Sequence, residues 1–237
     1  MSAGKFESWL FGKWGPLEKS IGNWIKDVLW PEGALCCACG RISDGSGLCK
    51  VCRESLLHDG VFWAWDREDL APDFQAWSLR PHDGVPRELV IRLKYHAEAR
   101  AARLLSELLL PLPPDVSFPP DTVVTWVTMP ESRFRDRGID HGRLLAKTFA
   151  EKLSLPCRPL LDRRDSHEKR QATLSREQRE ANLEGAFRAR EKITFPVLIV
   201  DDVRTTGTTL CRVGDALRAG GASQLFALTV TTRQHAS

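Results

Sequence analysis

The chain has 237 residues, enough for one ample domain accompanied by a small module. Apolar residues make up 42% and charged residues 27%, ordinary globular usage that excludes wholesale disorder. With 34 basic against 31 acidic residues the net charge is only +3, so overall charge makes no case for nucleic acid or an acidic membrane.

At the N-terminus, Trp9, Leu10, Trp14, Leu17, Ile21, Trp24, Ile25, Val28 and Leu29 recur at three- and four-residue steps, which predicts amphipathic helix over about 5–29. Pro31 and Gly33 stop it. Acidic residues among the basic ones on its polar face favour packing on its own protein over a membrane surface. No run approaches the roughly 18 apolar residues of a membrane span. The opening MSAGKFESWLFGKWG also lacks the apolar stretch of a signal peptide, so a cytoplasmic location is expected.

Five of the seven cysteines fall between Cys36 and Cys52. Cys36 with Cys39, and Cys49 with Cys52, form two C-x2-C pairs, and Gly40 suits the tight turn of a zinc knuckle. Four thiolates so spaced fit a tetrahedral structural zinc, with Cys37 or His58 as substitute ligands. All four positions would be filled by protein, leaving none open for catalysis. Cys157 and Cys211 stand apart and read as core thiols.

Phe62–Trp65 and Phe74–Trp77 read as short strands, Glu88 to Lys94 and Ala97 to Leu110 as helices, and 111–120, with five prolines, as a stiff connector. Strands and helices then alternate: Thr122–Thr128 strand, Gly142–Leu153 helix, Arg158–Leu161 strand, Pro196–Val200 strand, Thr208–Ala219 helix and Gln224–Val230 strand. That order predicts an α/β domain with a mostly parallel sheet. Domain limits of 1–33 for the helical region, 34–58 for the zinc ribbon and 59–237 for the α/β domain follow.

Pro196-Val-Leu-Ile-Val200 is apolar throughout, as a strand buried on both faces requires, and leads into Asp201 and Asp202. Thr205, Thr206, Gly207, Thr208 and Thr209 then turn into a helix, whose unpaired N–H groups suit a phosphate. Acids beside a phosphate cradle make sense for a ligand with hydroxyls or a metal at one end and phosphate at the other. A ribose 5-phosphate is such a ligand.

These residues resemble the signature of the type I phosphoribosyltransferases. Val200-Asp-Asp-Val-Arg-Thr-Thr-Gly-Thr-Thr-Leu210, with the cysteine module ahead of it, is most similar to the ComF family, associated with competence and DNA uptake. The resemblance implies a phosphoribosyltransferase-type fold, with Asp201 and Asp202 on the ribose hydroxyls and Thr205 to Thr209 on the 5-phosphate. It implies magnesium riding on the pyrophosphate of phosphoribosyl pyrophosphate. Thr128, Met129 and Pro130 resemble the family's pyrophosphate loop; Arg133, Arg135 and Arg137 follow, with Arg137 expected to help neutralise the leaving group. Where ComF-like chains read Arg-Gly-Phe-Asn-Gln, this one has Arg137-Gly-Ile-Asp-His141, and His141 is read as a helix-start residue without a catalytic part. Lys94 and Tyr95 match a further family segment and are assigned no role, since a helix-end lysine is ordinarily exposed. Gln171, Leu174, Arg179 and Asn182 resemble the family's hood, a lid over the substrate. Implied partners are phosphoribosyl pyrophosphate, single-stranded DNA and competence-machinery proteins. Arg163, Arg164, Lys169 and Arg170 are the basic groups for a DNA backbone in a second, non-catalytic reading.

Overall fold

The structure, a computed structural model, describes residues 33–58, 63–64, 71, 73–96, 98–110, 112–163 and 186–233. The expected N-terminal helix, the strand positions Phe62 and Trp65, and the hood residues Gln171 to Asn182 lie outside the described residues. Residues 1–53 and 54–237 form two compact units.

In the first unit the chain folds back on itself around the cysteines. Leu35 and Ile42 form an antiparallel bridge, Cys36 N–H donates to Arg41 O at 2.7 Å, and Gly40 N–H donates to Cys36 O at 2.9 Å. Gly40 has φ +73°, the left-handed backbone that a knuckle turn demands and a side chain disfavours. Cys49 then precedes helix α1 (Lys50–His58), whose first turn carries Cys52.

The second unit is built on a five-stranded sheet in the order β1-β2-β7-β6-β3. Its strands are β1 (Trp63–Ala64), β2 (Phe74–Pro81), β3 (Val123–Trp126), β6 (Val197–Arg204) and β7 (Leu225–Thr232). Only the β1–β2 pairing is antiparallel; β2–β7, β7–β6 and β6–β3 are parallel. The central strand β7 is buried along its whole length, and its Thr and Val residues suit a strand covered on both faces.

Val197 and Ile199 of β6 point into a core shared with helix α6 (Thr208–Ala219), through Leu210, Val213 and Leu217. Leu198 and Val200, alternating with them, face the other side. Helix α5 (His141–Leu153) packs against β3 and β6, with Leu145, Ala146, Phe149 and Ala150 buried. Helices α2 (Gly84–Tyr95) and α3 (Ala99–Leu109) continue that layer. Close packing of α6 on the sheet depends on Gly214, where a Cβ would come within 2.6 Å of Phe74 Cε1.

Two expectations need correction, and one short helix adds to them. Strand β6 runs four residues beyond Val200, because Asp201, Val203 and Arg204 stay paired with Thr229, Thr231 and Thr232 of β7. The acidic pair therefore sits within the ladder. The stretch after Pro130 is a helix, α4 (Glu131–Arg137), closed by Gly138 in the left-handed region at φ +68°. The strand expected at Arg158–Leu161 lies instead at β4 (Leu161–Arg163), paired antiparallel with β5 (Phe187–Ala189), which had not been foreseen. Upstream of it, Arg158 N–H donates to Val124 O at 3.1 Å and Cys157 makes only an isolated parallel bridge to Val124.

Candidate functional site

The carboxyl ends of the parallel strands gather the chemistry-bearing residues of the second unit. In open α/β sheets this edge is where ligands bind, since the chain leaves each strand through a loop rather than through more ladder. β6 brings Asp201 and Asp202 there and passes directly into Thr205, Thr206 and Gly207 before α6 begins.

Asp202 is buried at 4% exposure, whereas Asp201 is partly exposed. Each oxygen of Asp202 has a cation or imidazole beside it. Lys94 Nζ, from the last turn of α2, lies 2.7 Å from Oδ1, and His141 Nε2, from the first turn of α5, lies 3.2 Å from Oδ2. The second contact is close but poorly aligned, and Oδ2 accepts no hydrogen bond from the protein. Arg137 Nη1 lies 3.3 Å from His141 Nδ1. The same Nη1 is 3.4 Å from His141 Nε2, so the guanidinium lies against the imidazole ring without selecting one of its nitrogens. The same guanidinium lies over the Tyr95 ring at 5.2 Å.

Behind the pair, Thr231 Oγ1 donates to the Asp202 carbonyl at 3.2 Å. Its single proton is thereby committed, so His82 Nδ1, 2.8 Å away, is the donor to Thr231. Burial lowers the pKa of His82, and neighbouring Arg233, Lys94 and Arg87 push the same way.

The adjacent carboxyls titrate in opposite directions. Burial and the charge of Asp202 push Asp201 up to about 7. Burial works against ionisation of Asp202 too, but His141 and Lys94 outweigh it and hold that carboxyl below the usual range. One fixed anion beside one carboxyl of intermediate charge is an arrangement for accepting hydroxyls. It does not suit a divalent cation, which would have to approach Asp202 against Lys94.

The threonine loop supplies the complementary end. Gly207, at φ +79°, is the N-cap of α6 and has no side chain to cap it; Thr206 Oγ1 accepts only a long hydrogen bond from Thr208 N–H, at 3.5 Å. Thr206 Oγ1 and Thr208 Oγ1 are 2.9 Å apart, and Thr205 and Thr206 are exposed. A weakly capped helix start flanked by hydroxyls favours an anion.

Met129 and Pro130 follow β3 as expected and lead into α4. Met129 lines a cavity of about 330 Å³ with Thr128, Phe134, Asp140, Asp162 and Arg190. Asp140 is committed structurally: it caps α5 by accepting from Arg143 N–H at 2.9 Å and accepts from Trp126 Nε1 at 3.2 Å. Arg137, expected to help neutralise a leaving pyrophosphate, lies against His141 and Tyr95.

Residues 140–236 match the phosphoribosyl transferase domain model. The sheet with α5 and α6 is accordingly of the phosphoribosyltransferase type, and the acidic pair and threonine loop lie inside the matched segment. No curated protein matches the chain. Among solved structures, it is similar to the allosteric regulatory enzyme of purine biosynthesis, with TM-score 0.37 and 19% identity over 61% of this chain and 30% of that one. It is also similar to the glutamine phosphoribosylpyrophosphate amidotransferase of B. subtilis, with TM-score 0.35 and 18% identity over 63% and 28%. A third is the adenine phosphoribosyltransferase of Leishmania donovani, with TM-score 0.37 and 13% identity over 68% and 72%. The chain thus spans under a third of the length of the first two. Among the described residues, no helix is long and apolar enough to cross a membrane.

In the first unit, the sulfurs of Cys36, Cys39, Cys49 and Cys52 all lie within 4.8 Å of one another. The Cys39–Cys49 separation is 3.7 Å, close to the edge of about 3.8 Å that a tetrahedron of 2.3 Å zinc–sulfur bonds requires. Burial opposes ionisation of Cys36, yet N–H groups of Cys39, Cys49 and Ala38 pull its thiol down to about 7. Cys37 stands outside the four-thiol group, its N–H donating to Gly47 O at 2.8 Å. His58 ends α1, and its side chain is outside the described residues.

Two residues of the site were passed over in the sequence. Lys94 and His141 lie in segments with family counterparts, but those segments name no role for them, because their partner lies 108 and 61 positions away along the chain. The one available signal was that two adjacent acids at the end of a buried strand need nearby positive charge.

Proposed function

We propose that this protein binds phosphoribosyl pyrophosphate and transfers its phosphoribosyl group, in the manner of the ComF-type proteins it resembles. The observation that carries the reading is the coupling on one short stretch of backbone of an acidic pair to a weakly capped, threonine-flanked helix start. The domain match over 140–236 supports it.

In this reading the hydroxyls of Thr205, Thr206, Thr208 and Thr209 and the N–H groups beyond Gly207 take the 5-phosphate, and the acidic pair accepts the ribose hydroxyls. Met129 and Pro130 border the pyrophosphate. The C1–oxygen bond to pyrophosphate breaks, the electron pair leaving with pyrophosphate, as an acceptor nucleophile bonds to C1; positive charge builds on the ribose ring in between, and the anionic carboxylate among the groups that accept its hydroxyls stabilises that charge. Arg137, through His141, keeps that carboxylate in place. Magnesium belongs with the pyrophosphate oxygens, because the acidic pair does not suit it, and no step by these side chains depends on it.

The four-cysteine unit holds a structural zinc in this proposal, and the chain is organised as 1–33, 34–58 and 59–237. The link to DNA uptake and competence partners comes from the ComF resemblance; failure of an Asp202→Asn chain to restore transformability in a deletion strain would support it, and full restoration would remove it. The single-stranded DNA reading has less behind it: Arg163, the described member of its basic cluster, lies over the Phe187 ring at 5.3 Å.

The deciding experiment is calorimetric titration of the zinc-loaded protein with phosphoribosyl pyrophosphate, with and without magnesium. Magnesium-dependent binding is expected. Absence of binding in both conditions sinks the proposal.

A further inference from the structure

Lys94 and Asp202 form an unusual pair for this protein. Among the described residues, the other carboxylates paired with lysine or arginine are at least 29% exposed, whereas Asp202 is 6% exposed at its side chain and Lys94 20%. Helix α2 does not need this pair for docking, because Pro86, Leu89, Val90 and Leu93 already bury its apolar face. Buried ion pairs contribute little net stability against such packing. The partnering is also one-sided: both oxygens of Asp202 are attended, by α2 and by α5, while Asp201 has neither contact and is more exposed. Asp201 Oδ1 accepts only the Asp202 N–H, at 2.9 Å.

We propose that Lys94 is a positioning residue that divides the acidic pair into a fixed anion, Asp202, and a ligand-facing acceptor, Asp201, which is the carboxyl the sugar hydroxyls reach. This deepens the phosphoribosyl pyrophosphate reading and rests on it for the identity of the ligand. Asp201 and Asp202 are consecutive in the β6 ladder, so their side chains leave opposite faces of the strand and act on each other through space, each charge opposing the other. Lys94 on Oδ1 decides which of them keeps the charge.

The ionisable groups around the pair are Lys94 from α2, His141 from α5 with Arg137 behind it, His82 beyond β2, and Arg204 on β6 itself. Of these, Lys94 makes the shortest contact with either carboxylate. Burial and the charge of Asp202 place Asp201 near neutrality, with Lys94 pulling it down. Removing Lys94 therefore moves the Asp201 titration to higher pH, and any ligand affinity that needs Asp201 ionised moves with it.

The test uses the full chain, wild type, Lys94→Met and Lys94→Arg, with two readouts. The first needs no ligand: the carboxyl carbons of aspartate are labelled and titrated by NMR from pH 5 to 9. The expected result is a near-neutral Asp201 titration in wild type, displaced upward by at least half a pH unit in K94M and restored in K94R. The same midpoint in wild type and K94M overturns the proposal, whatever the ligand. The second readout is phosphoribosyl pyrophosphate affinity at pH 6.5 and 8.5 with magnesium. K94M should bind about two- to threefold more weakly than wild type at pH 6.5 for a half-unit displacement, and about eightfold for a full unit, and recover most of that deficit at pH 8.5. A loss equal at both pH values overturns the proposal, since it marks Lys94 as a direct phosphate contact. Failure of wild type to bind, with the NMR shift present, removes the ligand assignment and leaves the division of the pair intact.

Discussion

Replacing Asp201 by Asn tests whether the acidic pair is kept for a ligand or for the fold. The Asp201 carboxyl is raised from 3.8 to about 7, so at pH 8 the folded protein holds an anion that the unfolded chain holds more easily. At full weight that displacement corresponds to about 4 kcal/mol against folding. Asp201 is partly exposed, and solvent screening reduces the figure to about 1–2 kcal/mol. The sign follows from the raised value: the carboxyl favours folding most below about 4, and that contribution is lost as pH rises towards 7. Asn, which never ionises, avoids the loss. Asp201→Asn should therefore unfold roughly 3–6 °C above wild type at pH 8 and at the same temperature near pH 4. Ligand affinity moves the other way. An amide oxygen replaces a carboxylate as acceptor, and loss of one charge-assisted hydrogen bond worth about 1.5–3 kcal/mol weakens binding by about 10- to 150-fold. Differential scanning fluorimetry at both pH values and calorimetry with phosphoribosyl pyrophosphate measure the two effects. An unchanged melting temperature at pH 8, or equal stabilisation at both pH values, refutes the reasoning.

The companion substitution behaves differently. Asp202→Asn removes the partner of a largely buried lysine, a change that costs about 3–5 kcal/mol when the remaining charge stays uncompensated. Relief of the repulsion on Asp201 offsets part of it, leaving a loss of about 1–2 kcal/mol; a melting temperature equal to or above that of Asp201→Asn would contradict this. In the first unit, metal analysis should find one zinc per chain. Stripping it with a strong chelator should expose the four thiols to a chromogenic thiol reagent, and Cys39→Ser should lower zinc content. Full zinc content in that variant would remove Cys39 from the ligand set.

What was legible in the sequence and what was not divides by range. The parallel sheet announced itself because Pro196–Val200 and Gln224–Val230 are apolar runs too short for helices and separated by a helical period. The two C-x2-C pairs were legible because a knuckle is local chemistry. The extent of β6 was not: Asp and Arg at 201–204 have poor strand propensity, and pairing with Thr229 to Thr232 overrides it. Helix α4 was hidden by its length of seven residues, with too few turns for a periodicity to appear. The antiparallel β4–β5 pair has three residues a side, again below what alternation reveals. Lys94 and His141 escaped for a stronger reason. Each is an ordinary helix-end residue in its own segment and acquires meaning only once α2 and α5 are brought beside β6.

The extension of β6 also bears on what the site selects. Had the strand stopped at Val200, the acids and threonines would share one loop, able to adjust to ligands of different length. With Asp201 to Arg204 held in the ladder, only Thr205, Thr206 and Gly207 separate the strand from α6. Both ends of that short link are fixed, one by its pairing with β7 and the other by helix packing on Phe74. In the proposed reading, the spacing between the hydroxyl-accepting and phosphate-accepting groups is then set by backbone that has little freedom to move. A ligand must match that spacing to reach both, which favours one compact sugar phosphate over longer or shorter phosphates with the same end groups.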